Sequence, residues 1–161
     1  MAEVDGSVQK SLDSLGISHK VLGCDPDFAD TTAYCEKYNF PPEKCANTIL
    51  VAGKDKSGSR EIVACVVLAT DRLDVNKKIR KLLGAKKASF ANAEQTAELT
   101  GMKIGGVVIF GLPGTIKILV DQKVLEKDEV IMGGGNRSSK ILINPTELEK
   151  LPNLKIADIT Q

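Results

Sequence analysis

The sequence predicts a mixed α/β fold, in which a curved, mixed β-sheet is surrounded by helices. Some segments carry apolar residues at helical spacing, and short runs rich in Val and Ile lie between them. Several consecutive runs are joined by links too short to contain a helix, so they are predicted to form hairpins. A regular parallel sheet would need longer crossovers, and a mixed sheet is therefore favoured.

Four segments are predicted to be helices, because apolar residues recur on one face and capping residues stand at the ends. Asn92 and Gln95 have the spacing of a capping box. The four are the helix of Val8, Leu12 and Leu15 before Gly16, the segment 75–83 between Asp74 and Gly84, the segment 93–100 between Asn92 and Gly101, and the segment 145–151 after Asn144.

Eight runs are predicted to be strands, and the link 54–59 between the second and the third is predicted to be a hairpin loop. The eight are 19–22, 47–53, 60–69, 87–91, 107–110, 116–121, 129–132 and 140–144.

The length of 161 residues suits a single domain, 1–161, with a core of its own. With 42% hydrophobic and 27% charged residues, the composition is that of a soluble globular protein. No apolar run approaches the roughly 20 residues of a membrane span, and the polar N-terminus lacks the apolar region of a signal peptide. We therefore expect a cytoplasmic protein with no membrane partner.

The cysteine and histidine content excludes several kinds of catalytic site. Cys24, Cys35, Cys45 and Cys65 contain no CxxC pair, and His19 is the single histidine. Free thiols are expected rather than disulfides, and no metal site is expected. A Ser-His or Cys-His nucleophile is also disfavoured, because His19 stands in an apolar-leaning strand segment.

The glycine-rich stretch 133–137 resembles a phosphate-binding loop at first sight. A Walker-type or Rossmann loop requires a helix directly behind the glycines, whereas here the segment 140–144 is predicted to be a strand. Two interpretations remain, a hairpin turn that needs glycine geometry and a backbone nest that binds an anion.

A second glycine cluster contains Gly105, Gly106 and Gly111, which bracket four apolar residues. Glycines beside a buried strand allow another backbone or a ligand to approach closely, and the exposed N–H groups of such a turn can hold a carbonyl or oxyanion. The alternative is a tight turn that leads into an edge strand.

Basic residues are concentrated between Arg72 and Ala88. This segment carries a charge of +6, which leaves −5 for the remainder of a chain whose net charge is +1. It is either an ordinary solvated helix surface or a surface for phosphate backbones. Stacking on nucleic-acid bases is not indicated, because no aromatic residues are interleaved.

Three stretches together resemble a known family. They are the segment 47–53 after PPEKCA, the block from Leu73 to Gly111, and GGGNR followed by LINPTEL and KIADI. Their order is similar to that of the YbaK/ProX (prolyl-tRNA synthetase-associated) family of aminoacyl-tRNA editing domains, from about Ile17 to Ile159.

The resemblance implies a strongly curved mixed sheet and a cytosolic deacylase that cleaves the ester of a mischarged tRNA, without a metal or an organic cofactor. The reaction would use the substrate's ribose hydroxyl and an ordered water. The implied partners are the acceptor end of tRNA and an aminoacyl-tRNA synthetase.

The resemblance also assigns roles to residues. Asn47, Gly105 and Gly106 would be catalytic, with Asn47 at the position where the family usually has lysine. Val108 and Ile109 occupy the positions of the family's usual Ser/Thr and Pro, and Lys140 stands where some members have an acidic residue. The implied substrate-binding residues are Val108, Ile109, Gly111, Gly134, Gly135, Asn136 and Arg137. The implied contacts to the tRNA backbone are Lys77, Lys78, Lys81, Lys86 and Lys87.

Two other functions stay open at this point. Loss of the lysine, the Ser/Thr and the proline together would suit a catalytically weakened module that binds tRNA, a synthetase or an amino-acid-like ligand. A hydrolase acting on another small ester is the third possibility.

Overall fold

Eight strands form two sheets in the computed structural model, which describes residues 2–161. The smaller sheet has the order β1-β7-β6 and is antiparallel throughout. The larger sheet has the order β4-β2-β3-β5-β8, with antiparallel pairing around β2 and parallel pairing on both sides of β5. The strands are β1 (Lys20–Gly23), β2 (Ala46–Lys54), β3 (Arg60–Leu68), β4 (Lys87–Phe90), β5 (Lys117–Asp121), β6 (Val130–Gly133), β7 (Ser139–Ile143) and β8 (Leu154–Ala157).

The predicted mixed α/β class is confirmed, although the strands divide between two sheets rather than forming one. The sheets meet where an isolated bridge joins Cys45, just before β2, to Ile131 in β6. This junction places the start of β2 beside the β6–β7 hairpin.

Helices surround the sheets. A π-helical segment, Val75–Ile79, continues directly into the helical turn Arg80–Leu82, and the two together are called α3. The other α-helices are α1 (Gly6–Leu15), α2 (Thr31–Tyr38) and α4 (Ala93–Thr100), and the 3-10 segments are Pro26–Phe28, Pro42–Lys44, Gln122–Glu126 and Pro145–Lys150.

The predicted helix ends are confirmed where capping chemistry marks them. Asn92 Oδ1 accepts a hydrogen bond from the backbone N–H of Gln95 at 2.8 Å, and the backbone N–H of Asn92 donates to Gln95 Oε1 at 2.9 Å. Asp74 accepts from the backbone N–H of Lys77 at 3.1 Å, and Gly16 ends α1 in the left-handed conformation. Each cap satisfies backbone groups that have no partner within the helix.

Two predicted elements are wrong in type. The segment 107–110 is buried but is not a strand, because the flanking Gly105 and Gly111 have φ values of +89° and +80° and turn the chain away from an extended path. The segment after Asn144 is a 3-10 helix rather than an α-helix.

The larger sheet buries both of its faces, as alternating residues of each strand point to opposite sides. Leu50 and Ala64 pack into the main core with Leu12 of α1 and Phe110. On the other face, Val51 and neighbouring β3 residues pack under α3 in a second cluster.

Two glycine segments pack backbone against backbone beside this core. The N–H of Gly135 donates to the carbonyl of Gly106 at 2.7 Å. A Cβ on Gly106 would overlap the carbonyl oxygen of Asn136, and one on Gly133 would lie 2.7 Å from the carbonyl oxygen of Val107. The segment 105–107 and the β6–β7 loop therefore touch at a distance that excludes side chains at both glycines.

We predict that Gly106→Ala destabilises the protein by about 1–3 kcal/mol, because the added methyl group forces the two backbones apart. Gly114→Ala is the matched control, since Gly114 has open space around its Cβ position and no positive φ. Urea unfolding followed by circular dichroism measures both variants. Equal midpoints for the two would contradict the close backbone contact.

Candidate functional site

A cleft of about 200 Å³ opens where the two sheets meet. One wall is formed by α2 and the residue before it, through Asp30, Thr31 and Tyr34. The start of β2 forms the floor, and the opposite wall contains Gly105, Val107 and the end of β6. Distant parts of the chain therefore converge on one small cavity.

Lys140 places a buried cation at this cleft. Its side chain extends from β7, and the residue is 5% exposed. The ammonium donates to the carbonyls of Ala29 at 2.6 Å and Gly105 at 2.7 Å, and it lies 5.5 Å from the ring centre of Tyr34. Burial lowers the pKa of Lys140 below its ordinary value, since desolvation disfavours the charged form.

Arg137 connects the same two walls from the same hairpin. Its guanidinium donates to the carbonyls of Pro26 at 2.8 Å and of Ile104, and it pairs with the Asp30 carboxylate at 3.1 Å. The segment 26–30 and the turn 104–105 are thus each bonded by two cations of the β6–β7 hairpin. These bonds fix the separation of the cleft walls.

Asn47 presents an oriented amide to the cleft. The hydroxyl of Thr31 donates to Asn47 Oδ1 at 2.6 Å. This bond orients the amide, and its NH₂ group can donate to a ligand.

The hydroxyl of Thr48 is a second polar group on the cleft floor. It is buried and has no hydrogen-bond partner among residues 2–161. A buried hydroxyl without a partner is costly.

The thiols near the cleft are poor nucleophiles. Cys45 lines the cleft, and its Sγ lies 3.3 Å from that of Cys35. Burial raises the pKa of the Cys45 thiol well above its usual value, and the contact with Cys35 raises it further. Burial also raises the pKa of Cys24. The thiolate is the reactive form, so these shifts disfavour covalent catalysis at neutral pH.

No helix within residues 2–161 has the length and apolar character needed to cross a membrane. Nor does this part of the chain gather three or more His, Cys, Asp or Glu side chains that could hold a metal ion.

Comparison with known families matches residues 25–151 to the aminoacyl-tRNA editing domain. The matched residues are most of the chain and include every wall of the cleft. The chain belongs to the aminoacyl-tRNA editing domain family.

Relatives of this editing domain include proline–tRNA ligases of Streptococcus pneumoniae. Those of strains Hungary19A-6 and CGSP14 are each 27% identical over 108 residues, which cover 67% of this chain. The match spans only 16% of the length of each ligase.

Solved structures share the fold over nearly the whole chain. A crystal structure of a hypothetical protein has a TM-score of 0.84 at 25% identity, covering 96% of this chain and 99% of its own. A crystal structure described as a candidate trans-editing enzyme for prolyl tRNA synthetase has a TM-score of 0.81 at 24% identity and covers 99% of both chains. These likenesses confirm the predicted editing-domain fold.

Of the three predicted catalytic residues, the structure brings Asn47 and Gly105 together in the editing-domain cleft. Gly106 is buried behind Gly105 against Asn136. Its role is to permit the close backbone contact, and a catalytic role for any of the three stays a prediction.

The predicted substrate-binding residues lie mostly away from the cleft. Val108 and Ile109 are buried in the main core, and Val107 is the neighbour that lines the cleft. We therefore expect Val107, rather than these two, to contact a ligand. The others are Gly111 beside Ser7 of α1, Gly134 beside Ser139, Gly135 beside Val8, Asn136 inside the hairpin loop, and Arg137 behind the cleft wall.

The predicted tRNA-contacting lysines are not equivalent. Lys77, Lys81, Lys86 and Lys87 are exposed. Lys78 instead pairs with Asp158 at 2.8 Å and donates to the carbonyl of Thr160. The solvated basic surface is therefore smaller than the sequence alone suggests.

Among the polar residues of the cleft, Lys140, Thr31 and Thr48 receive no site role from the sequence. Lys140 carried a detectable signal, because it is a charged residue within the otherwise apolar strand run that follows Ser139. Thr31 and Thr48 carried none, since their proximity to Asn47 depends on the packing of α2 across β2.

We predict that the Lys140 amine titrates below the usual lysine value of 10.5. Side-chain NMR of labelled lysines measures this, with Lys140→Met to assign the resonance. Titration of the Lys140 amine at or above the usual lysine value would contradict the burial of the ammonium.

The same shift predicts a pH dependence of stability. Between the folded and unfolded pKa values of Lys140, the unfolded chain binds the proton more tightly than the folded chain does. The free energy of unfolding, relative to Lys140→Met, should therefore rise as pH rises through that window. A constant difference between the two proteins would count against the prediction.

Proposed function

We propose that this chain is an aminoacyl-tRNA deacylase that hydrolyses the ester of a mischarged tRNA in the cytoplasm. The observation that carries the proposal is the cleft of about 200 Å³, in a member of the editing family, which holds oriented hydrogen-bonding groups but no competent nucleophile. Such a site suits attack by water on a bound ester.

The cleft offers two groups to the ester. The Asn47 amide can donate to its oxygens or to those of the terminal ribose. Gly105 also lines the cleft. Because it has no side chain, the aminoacyl carbonyl can approach its backbone closely. Fixed donors of this kind stabilise the negative charge that develops when water attacks a carbonyl.

Lys140 supplies the positive charge of the cleft wall. The ammonium is held in place by the Ala29 and Gly105 carbonyls before any substrate binds. A preorganised charge in a site shielded from water acts more strongly on a developing oxyanion than a solvated one does. The reaction then needs no side chain that bonds covalently to the substrate.

The proposed partners follow from the substrate. Lys77, Lys81, Lys86 and Lys87 would contact the phosphate backbone of the tRNA, since they are exposed on α3 and on the loop and strand that follow it. A synthetase is the second proposed partner, because the curated relatives are proline–tRNA ligases.

One observation favours an alternative, a catalytically weakened module that binds tRNA or a synthetase. Asn47 is uncharged, whereas the family usually has lysine there, and a bond to a charged group is worth about 1.5–3 kcal/mol. If the parent protein is silent and Asn47→Lys gains deacylation, this alternative holds.

Single-turnover hydrolysis of a panel of mischarged tRNAs tests the proposal. We predict hydrolysis above the buffer rate for at least one tRNA, and a loss of roughly tenfold in Asn47→Ala, as expected for one hydrogen bond of about 1.4 kcal/mol. Thr32→Ala is the control, since exposed Thr32 shares α2 with Thr31 but does not line the cleft. No hydrolysis of any tRNA at high protein concentration would refute the proposal.

A further inference from the structure

A second concave surface is formed by β4, the adjoining ends of β2 and β3, and residues of α3 and α4. It encloses about 590 Å³ and is lined by five cationic side chains. We call it the basic groove, and its cations are Lys54, Arg60, Arg80, Lys86 and Lys87. The β2–β3 hairpin contributes the first two, so the groove is not the helix surface that the charge pattern of the sequence indicates.

The groove carries positive charge that the protein does not neutralise. Its lining contains no Asp or Glu, and none of its five cations forms an ion pair within residues 2–161. Lys78 and Lys117, outside the groove, each pair with a carboxylate. Unpaired cations gathered on one concave surface attract a polyanion and release its counterions on binding.

Phe90 adds an aromatic ring to the same groove. The residue is 57% exposed, more than the other large apolar residues on the described surface, and it lines the groove beside the cations. An exposed aromatic ring among cations is the combination that binds single-stranded nucleic acid, in which bases stack on rings and phosphates meet positive charge. A paired duplex would offer Phe90 no free base face.

The position of Phe90 connects the groove to the cleft. Phe90 lies opposite Val51 in β2, and Asn47 is four residues earlier on the same strand. The Cα atoms of Asn47 and Val51 are about 13 Å apart along β2, at roughly 3.3 Å per residue. A short extended strand could therefore span the distance between the cleft and the groove.

We propose that the basic groove binds single-stranded RNA, with phosphates on its cations and one base stacked on Phe90. This rests on the proposed function in one respect, since the strand would be the unpaired 3′ end of the tRNA whose terminal residue enters the cleft. The binding itself does not require hydrolysis, so it can be tested separately.

Fluorescence anisotropy with a labelled single-stranded RNA, and with a duplex of the same length, tests the proposal over a range of salt concentrations. We expect the single strand to bind more tightly than the duplex. Phe90→Leu, which keeps apolar bulk without the ring, should weaken single-strand binding roughly fivefold to a hundredfold. Arg60→Gln should weaken it and reduce the slope of log K against log salt by about 0.7.

Lys155→Gln is the charge-matched control, because Lys155 is exposed in β8, at the opposite edge of the same sheet. It should leave binding unchanged. Unchanged binding in Phe90→Leu, tighter binding of the duplex, or equal weakening by Lys155→Gln would each overturn the proposal. Because the probe is RNA that carries no amino acid, it contains no ester for the protein to hydrolyse. These outcomes are therefore independent of the proposed hydrolysis.

Discussion

The contact between the backbones of Gly106 and the β6–β7 loop is the constraint on which the cleft depends. A Cβ fits neither on Gly106 nor on Gly133 at this contact, and the hydrogen bond from Gly135 to Gly106 fixes its register. With the turn held in place, Lys140 and Arg137 can reach carbonyls on it and on the segment before α2 at the same time. The glycines thus allow the two backbones to approach closely, and the hydrogen bonds of Lys140 and Arg137 then hold the two walls of the cleft at a fixed separation.

The charge of the cleft comes from a different strand than the family resemblance implies. The family's usual lysine opens the strand that is β2 here, and Asn47 takes that position. Lys140 of β7 lines the same cavity, so the site keeps one ammonium while its donor at the start of β2 becomes neutral. Desolvation makes this ammonium costly to bury, and two carbonyl bonds offset the cost. A buried cation with this pattern of bonds is more consistent with a site than with ordinary core packing.

Capping chemistry and hairpin links allowed the sequence to predict most of the fold. Asp74 and Asn92 act locally, so the sequence alone locates the helices that they begin. The sequence did not predict α2 or β8, because α2 buries little beyond Tyr34 and β8 is a four-residue edge strand. In the cleft, Asn47 and Gly105 were predicted from the resemblance, whereas the roles of Lys140 there and of Phe90 in the basic groove depend on contacts between segments distant in sequence.

The most direct test is a crystal structure with a non-hydrolysable aminoacyl-adenosine analogue. We predict that the aminoacyl group occupies the cleft between α2 and the turn at Gly105, with the Asn47 amide within hydrogen-bond distance of an ester or ribose oxygen. An analogue that binds elsewhere on the protein, or that occupies the cleft without contacting Asn47 or Gly105, would contradict it.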